Sequence, residues 1–353
     1  MAYDPELSKV LMTLSTLAYV GEDALPNEAL ADQQNRIAGK LTAELGNPNY
    51  ATAGAWQLVW GPGLTVGNMM YVARQTGTNN YALAIRGTYW KFIIDWVEDA
   101  DVLLMVSFPY IHDTTDPNIR IAKGTMDGLS ALTGMTGVSS RSPQPITLLQ
   151  FLNDEAIVAN GNINVYVTGH SLGGCLASVA GPWLESHTGQ WGHTGNTAVK
   201  VGVYTYAGPS AGNSSYSNYC NQKIQDFYRV FNDLDVVPRA WQEIDVPTHW
   251  YVPAPECPFL VKVAEGGLKV VIDHDRYTVS GEPQELVSSV NSSYEDTFWQ
   301  QLGYQHSQNT YLTLLGCPPG QLIDLNATAV NRAATGPNSF AQKLAKLNPT
   351  RGA

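Results

Sequence analysis

Apolar residues recur at helical spacing at the start of this chain. Leu7, Val10, Leu11, Leu14 and Leu17 fall on one stripe, and Asp4 before Pro5 gives the cap-then-N1 order that opens a helix. A second helical stretch is predicted over about 28–45, closed by Gly46-Asn47-Pro48. The period then falls to two. Segments 56–60, 69–74 and 81–85 read as strands, the last two joined through Gly77-Thr78-Asn79-Asn80, so helices are followed by a hairpin or meander. From Ile163 onward strand and helix alternate: strand 163–168, helix 172–187, strand 199–206, helix 214–224, strand 227–231. Such alternation predicts an α/β fold, a mostly parallel sheet with helices on both faces. Residues 187–197 read as a surface loop, and helices are expected to begin near His306 and over about 339–346. The segment 240–300 is long and mixed, holds the strand-like 268–272, and reads as an insertion. With no internal repeat or low-complexity linker, 1–353 is expected to be a single domain, with 1–50 as its N-terminal helices.

At one junction the pattern also carries chemistry. The strand-like Val165-Tyr166-Val167-Thr168 meets Gly169-His170-Ser171-Leu172-Gly173, and the small residues Gly174, Cys175 and Ala177 follow at helical spacing. Gly-x-Ser-x-Gly between a strand and a helix is the pattern of a nucleophile elbow, a sharp turn that exposes the serine hydroxyl. Glycine is needed where backbone and helix crowd that turn. Ser171 is therefore the candidate nucleophile. The backbone N–H of Leu172, in the first turn of the following helix, is a candidate oxyanion donor.

A serine nucleophile needs a general base, and the base needs an orienting carboxylate. In α/β-hydrolase-type chains the order is Ser, acid, His, each partner in a loop after a strand. The acid should follow strand 227–231, in Asn232-Asp233-Leu234-Asp235-Val236-Val237-Pro238, where position alone leaves Asp233 and Asp235 open. Chain order excludes His112, His170 adjoins the nucleophile, and His187 and His193 precede the acid. His249, His274 and His306 remain.

Composition narrows the partners. With 31 acidic against 20 basic residues the net charge is −11, which argues against nucleic acid and against attraction to anionic membranes. No apolar run reaches the length of a membrane span. The opening Met1-Ala2-Tyr3-Asp4-Pro5-Glu6 lacks a secretory signal's charged and apolar regions. Its compartment stays open: a soluble cytoplasmic protein, or a secreted one with its leader removed. The 4 cysteines, at 175, 220, 257 and 317, form neither a disulfide framework nor a CxxC metal pair, so no metal or other cofactor is expected. Cys175 is expected to pack as a small buried residue. Cys257 and Cys317 would pair only if the fold brought them together.

Ala84-Ile85-Arg86-Gly87-Thr88, the elbow, Asn232 through Pro238, and Tyr206-Ala207-Gly208-Pro209 with Gly212-Asn213 occur in an order and spacing that together resemble the class 3 lipase family. These are the fungal-lipase-like α/β-hydrolases, and the similarity spans roughly 80–320. The resemblance implies that the acid is the Asp followed by an apolar residue, Val and Pro, which is Asp235. It also implies that the base precedes a helix carrying Tyr and Leu, which is His306 in His306-Ser307-Gln308-Asn309-Thr310-Tyr311-Leu312. Thr88 resembles the family's second oxyanion donor.

The family's lid follows the oxyanion residue. Here that position holds Tyr89, Trp90, Phe92, Ile93 and Trp96, with Lys91, Asp95 and Glu98 or Asp99 on the opposite face, so 89–110 is the candidate lid and substrate-facing segment. A core helix packed on the sheet is the equally weighted alternative. The activity implied is that of a serine carboxylic-ester hydrolase: a triacylglycerol lipase or lipase-like carboxylesterase with an ester or lipid substrate, at an oil–water interface. A phospholipase, a feruloyl esterase, a polyester hydrolase or a non-catalytic lipid-binding relative would share the scaffold.

Overall fold

In the computed structural model the residues described are 2–21, 24–87, 104–112, 114–159, 161–191, 198–239, 242, 251, 277–294 and 298–324. In chain order they form α1 (Pro5–Leu17), α2 (Leu30–Leu45), β1 (Trp56–Leu64), β2 (Met69–Gln75), β3 (Asn80–Ile85), β4 (Met105–Ser107), β5 (Arg120–Ala122), α3 (Lys123–Thr133), β6 (Thr136–Ser139), β7 (Ser142–Thr147) and α4 (Leu148–Val158). There follow β8 (Ile163–His170), α5 (Leu172–Ser186), α6 (Thr188–Trp191), β9 (Val199–Tyr206), α7 (Ser214–Lys223), β10 (Phe227–Asn232), β11 (Glu282–Leu286), α8 (Phe298–Gln305) and α9 (Gln308–Leu314).

The Asp4 carboxylate caps α1 by accepting from the backbone N–H groups of Glu6 and Leu7 at 3.0 and 3.1 Å, as the Asp-Pro pair predicts. The main sheet runs β11-β10-β9-β8-β3-β2-β1-β6-β7. It is parallel from β11 to β3 and antiparallel from β3 to β7, so the predicted meander forms one half and the alternating region the other.

Strand alternation divides the core into two layers. Met70, Val72, Leu83, Ile85, Val165 and Val167 face α3, α4 and α5, whose Leu129, Phe151, Leu176 and Val179 complete that cluster. Tyr71, Ala73, Ala82, Ala84, Tyr204 and Tyr206 face the other side, where Leu11, Leu14, Ile37 and Leu41 of α1 and α2 meet Tyr311 and Leu312 of α9. The small residues Ala82 and Ala84 leave room for α1 to approach the middle of the sheet, where it packs on β3 and β8.

Several expectations need correction. Residues 136–147, to which the sequence pattern assigns no element, form β6 and β7 and extend the main sheet. Within 187–197, α6 is helical and Trp191 is buried, its indole N–H donating to Leu184 O at 3.1 Å, so apolar packing overrides the polar composition there. At the distal end of 89–110, Phe108 reaches the core while Leu104, Ser107 and Pro109 are exposed. Strand β4 pairs with β5, and Phe108 is buried edge-on to Tyr110 and Tyr216. Residues 88–103, the expected strand 268–272 and the expected helix 339–346 lie outside the described residues. No helix among the described residues is long and apolar enough to cross a membrane. Cys175, Cys220 and Cys317 are buried thiols, and Cys257 lies outside the described residues.

Candidate active site

The parallel strands end together on one side of the sheet: β3 at Ile85, β8 at His170, β9 at Tyr206 and β10 at Asn232. In open α/β sheets that carboxyl edge is where ligands bind. Ser171, between β8 and α5, has φ 61° and ψ −130°, a left-handed conformation unusual for a residue with a Cβ. The turn persists because its surroundings over-determine it. The Ser171 N–H donates to Tyr206 O at 2.9 Å, and its carbonyl accepts from Gly174 N at 2.9 Å and Cys175 N at 3.2 Å. A Cβ at Gly173 would lie 2.3 Å from Ile85 O, and one at Gly169 would lie 2.2 Å from Gly173 O, so the glycines let strand, turn and helix touch through backbone.

His306 stands between α8 and α9. Its Nε2 lies 2.9 Å from Ser171 Oγ and its Nδ1 lies 2.7 Å from Asp235 Oδ2. A carboxylate only accepts, so Nδ1 carries the proton and the neutral ring offers Nε2 as acceptor to the serine hydroxyl. Asp235 Oδ2 also accepts from the Tyr311 hydroxyl at 2.8 Å, and Oδ1 accepts from Val237 N at 3.0 Å. Asp235 is fully buried, and these three bonds replace the water it gives up. Burial, and then the negative charge of Asp235, push the Tyr311 phenol well above its usual range, so it stays a donor.

The other carboxylate of the loop has a structural place. Asp233 Oδ1 accepts from Ser288 N at 2.8 Å, clipping the loop to the end of the edge strand β11. Among the other histidines, His112 Nε2 lies 2.6 Å from Ser186 O and His187 Nδ1 lies 2.7 Å from Trp183 O, both away from Ser171. His193, His249 and His274 lie outside the described residues.

His170 is buried beside the site, its ring 4.8 Å from that of His306 and 5.4 Å from that of Tyr311. Burial, and then the charge His306 can carry, hold His170 well below the usual imidazole range, so it stays neutral. Tyr19, just past α1, donates to His170 O at 3.1 Å, and a Cβ on Gly87 would lie 2.3 Å from its hydroxyl. The N-terminal segment thus touches the elbow and the start of the candidate oxyanion loop together.

Leu172 is the first residue of α5, and its N–H is one of the first-turn amides that no intrahelical carbonyl accepts. The second candidate donor, Thr88, and the candidate substrate-facing residues Tyr89, Trp90, Phe92, Ile93 and Trp96 lie outside the described residues. Tyr311 and Tyr19 escaped the reading of the sequence as site residues. In the sequence the first marks only the helix after His306, and the second sits among helix-forming residues with no motif.

Residues 82–244 match the family model described as Lipase (class 3). Over 211 residues the chain is 26% identical to the chloroplastic phospholipase A1-Igamma2 of Arabidopsis thaliana, covering 56% of this chain and 39% of that protein. It is 27% identical over 211 residues to the secreted mono- and diacylglycerol lipase A of Penicillium cyclopium, 59% of each chain. The matched region thus spans well under two thirds of these relatives. Among solved structures, M37 lipase superposes with a TM-score of 0.76 at 26% identity, covering 93% of this chain and 96% of that one. Rhizomucor miehei lipase, at 17% identity and a TM-score of 0.50, shares the fold. Residues 82–244, which hold the elbow and strands β8, β9 and β10, are thus similar to the class 3 lipase family, and the whole fold is of the α/β-hydrolase type.

Proposed function

We propose that this protein is a serine carboxylic-ester hydrolase that cleaves lipid esters through an acyl-enzyme. The observation that carries the reading is the unbroken path Ser171 Oγ to His306 Nε2 at 2.9 Å and His306 Nδ1 to Asp235 Oδ2 at 2.7 Å, with the serine on a strained elbow. In this reading His306 takes the Ser171 proton as Oγ attacks the ester carbonyl, then gives it to the departing alcohol. Asp235 keeps the imidazole in the reactive tautomer and balances its charge. The Leu172 N–H and Thr88 hold the oxyanion of the tetrahedral intermediate. Water, deprotonated by His306, then releases the acid and restores Ser171.

The named relatives include a mono- and diacylglycerol lipase and a phospholipase A1, so triacylglycerol, partial glyceride and phospholipid are the substrates to compare. The test is hydrolysis of short p-nitrophenyl esters, emulsified triglyceride and phosphatidylcholine vesicles, with fluorophosphonate labelling of wild type and Ser171→Ala. Hydrolysis of at least one ester, with labelling lost in Ser171→Ala, is expected. Lipid binding without labelling would make the chain a non-catalytic lipid-binding relative. Residues Tyr89, Trp90, Phe92, Ile93 and Trp96 form the lid in this reading. A rate jump above the solubility limit of a long-chain ester is then expected, and smooth saturation would remove the lid from the proposal.

A further inference from the structure

Two fully buried carboxamides lie next to the acid and the base in sequence. Asn232 ends β10, three residues before Asp235, and Gln305 ends α8, immediately before His306. Asn232 Nδ2 donates to Gln305 O at 2.9 Å and to Gln305 Oε1 at 2.7 Å. The rest of Asn232 is bonded toward the acid. Its Oδ1 accepts from Leu234 N at 3.0 Å, its carbonyl accepts from Asp235 N at 3.1 Å, and its N–H donates to the Tyr311 hydroxyl at 3.0 Å. One side chain is therefore bonded to both segments that meet in the Asp235–His306 pair.

Gln305 extends the link outward. Its Oε1 also accepts from Ser288 Oγ at 2.9 Å, and its Nε2 donates to Ser289 O at 2.8 Å. Ser288 N in turn holds Asp233, closing a ring of bonds around the loop. Buried amide pairs add little net stability over apolar groups of the same size, but they fix direction and distance in a way that methyl contacts do not. An apolar pair would fill this space and still let residues 232–235 slide against residue 306. A misplacement of about 1 Å in such a constellation can cost about 100-fold in rate.

We propose that Asn232 and Gln305 form a positioning clamp that sets the register between the Asp235 carboxylate and the His306 imidazole. The kinetic consequence rests on the ester-hydrolase reading, whereas the geometric one does not. The variants are Asn232→Leu and Gln305→Leu, with Tyr81→Phe as a control that breaks a buried 2.6 Å bond to Glu155 far from the site.

Two measurements are made on each folded variant: the downfield proton resonance of the His306 Nδ1–H, assigned by its loss in His306→Gln, and kcat and KM on a soluble p-nitrophenyl ester. The clamp variants are expected to shift or broaden the resonance and to lower kcat by about 100-fold with KM nearly unchanged. Tyr81→Phe should change neither. Clamp variants that keep both the resonance and kcat at the control's level would overturn the proposal. Where a Leu variant does not fold, Gln305→Asn and Ser288→Ala carry the same two measurements, since both loosen the ring without emptying it. Absence of esterase activity or of Ser171 labelling in the wild type would count against the hydrolase reading alone, because the resonance still decides the clamp.

Discussion

The Tyr311 hydroxyl lies 2.8 Å from Asp235 Oδ2, the same oxygen that faces His306 Nδ1 at 2.7 Å. One carboxylate oxygen thus answers to two donors on either side of the α9 N-terminus, and the phenol spreads the charge that the imidazole must share. Tyr311→Phe removes a hydrogen bond to a buried anion. It is expected to lower unfolding stability by about 1–3 kcal/mol in urea titration and kcat by about 10-fold. An unchanged kcat would leave Tyr311 as a stabilising residue only.

Asp233 and Asp235 are two residues apart and should behave oppositely. Asp235→Asn keeps the shape but leaves His306 Nδ1 without its carboxylate, so kcat on a soluble ester is expected to fall by about 10⁴-fold. Asp233→Asn retains an oxygen for Ser288 N and should stay within about 3-fold of wild type, since it touches no reacting group. Equal losses in the two variants would show that the loop's fold, not the chemistry of Asp235, was being measured.

His170 gives the stability a pH dependence with a definite sign. Its neutral form is favoured by burial, and the groups facing it are Tyr19, His306 and Tyr311. Above about pH 6.5 the ring is neutral in folded and unfolded chains alike and contributes nothing. Below that, the unfolded chain binds a proton that the folded chain refuses. Stability then falls by about 1.4 kcal/mol per pH unit until the depressed folded value is reached. Melting temperatures from pH 8 to pH 5 should show a shallower decline in His170→Gln than in wild type, and parallel curves would contradict the assignment.

Gly173→Ala tests the close approach at the elbow. The added Cβ would meet Ile85 O at 2.3 Å and Gly87 N at 2.8 Å, backbone atoms that cannot rotate away. A loss of about 3 kcal/mol or more is expected, read as a lowered melting temperature together with reduced fluorophosphonate labelling. A variant as stable and as reactive as wild type would mean that β3 can retreat from the turn.

Much of this protein was legible in local pattern. The stripe from Leu7 to Leu17, the two-residue period of β2 and β3, the alternation after Ile163 and the crowding glycines around Ser171 are all set by neighbours within a few residues. Those signals sufficed for the α/β class, the elbow and a short list of acids and bases. Where packing reached across the chain, local pattern fell short: Trp191 is buried in a segment of loop-like composition, and β6 and β7 join the main sheet from a stretch to which the pattern assigns no element. The resemblance points to Asp235 and His306, but only tertiary structure brings His306 against Ser171, 135 residues away, gives Asp233 and Asp235 different partners, and joins Asn232 to Gln305 across 73 residues. The reason is physical. Hydrogen bonds between the ends of different strands and helices depend on how far each element extends and where its last side chain points, and neither leaves a period or a spacing along the chain.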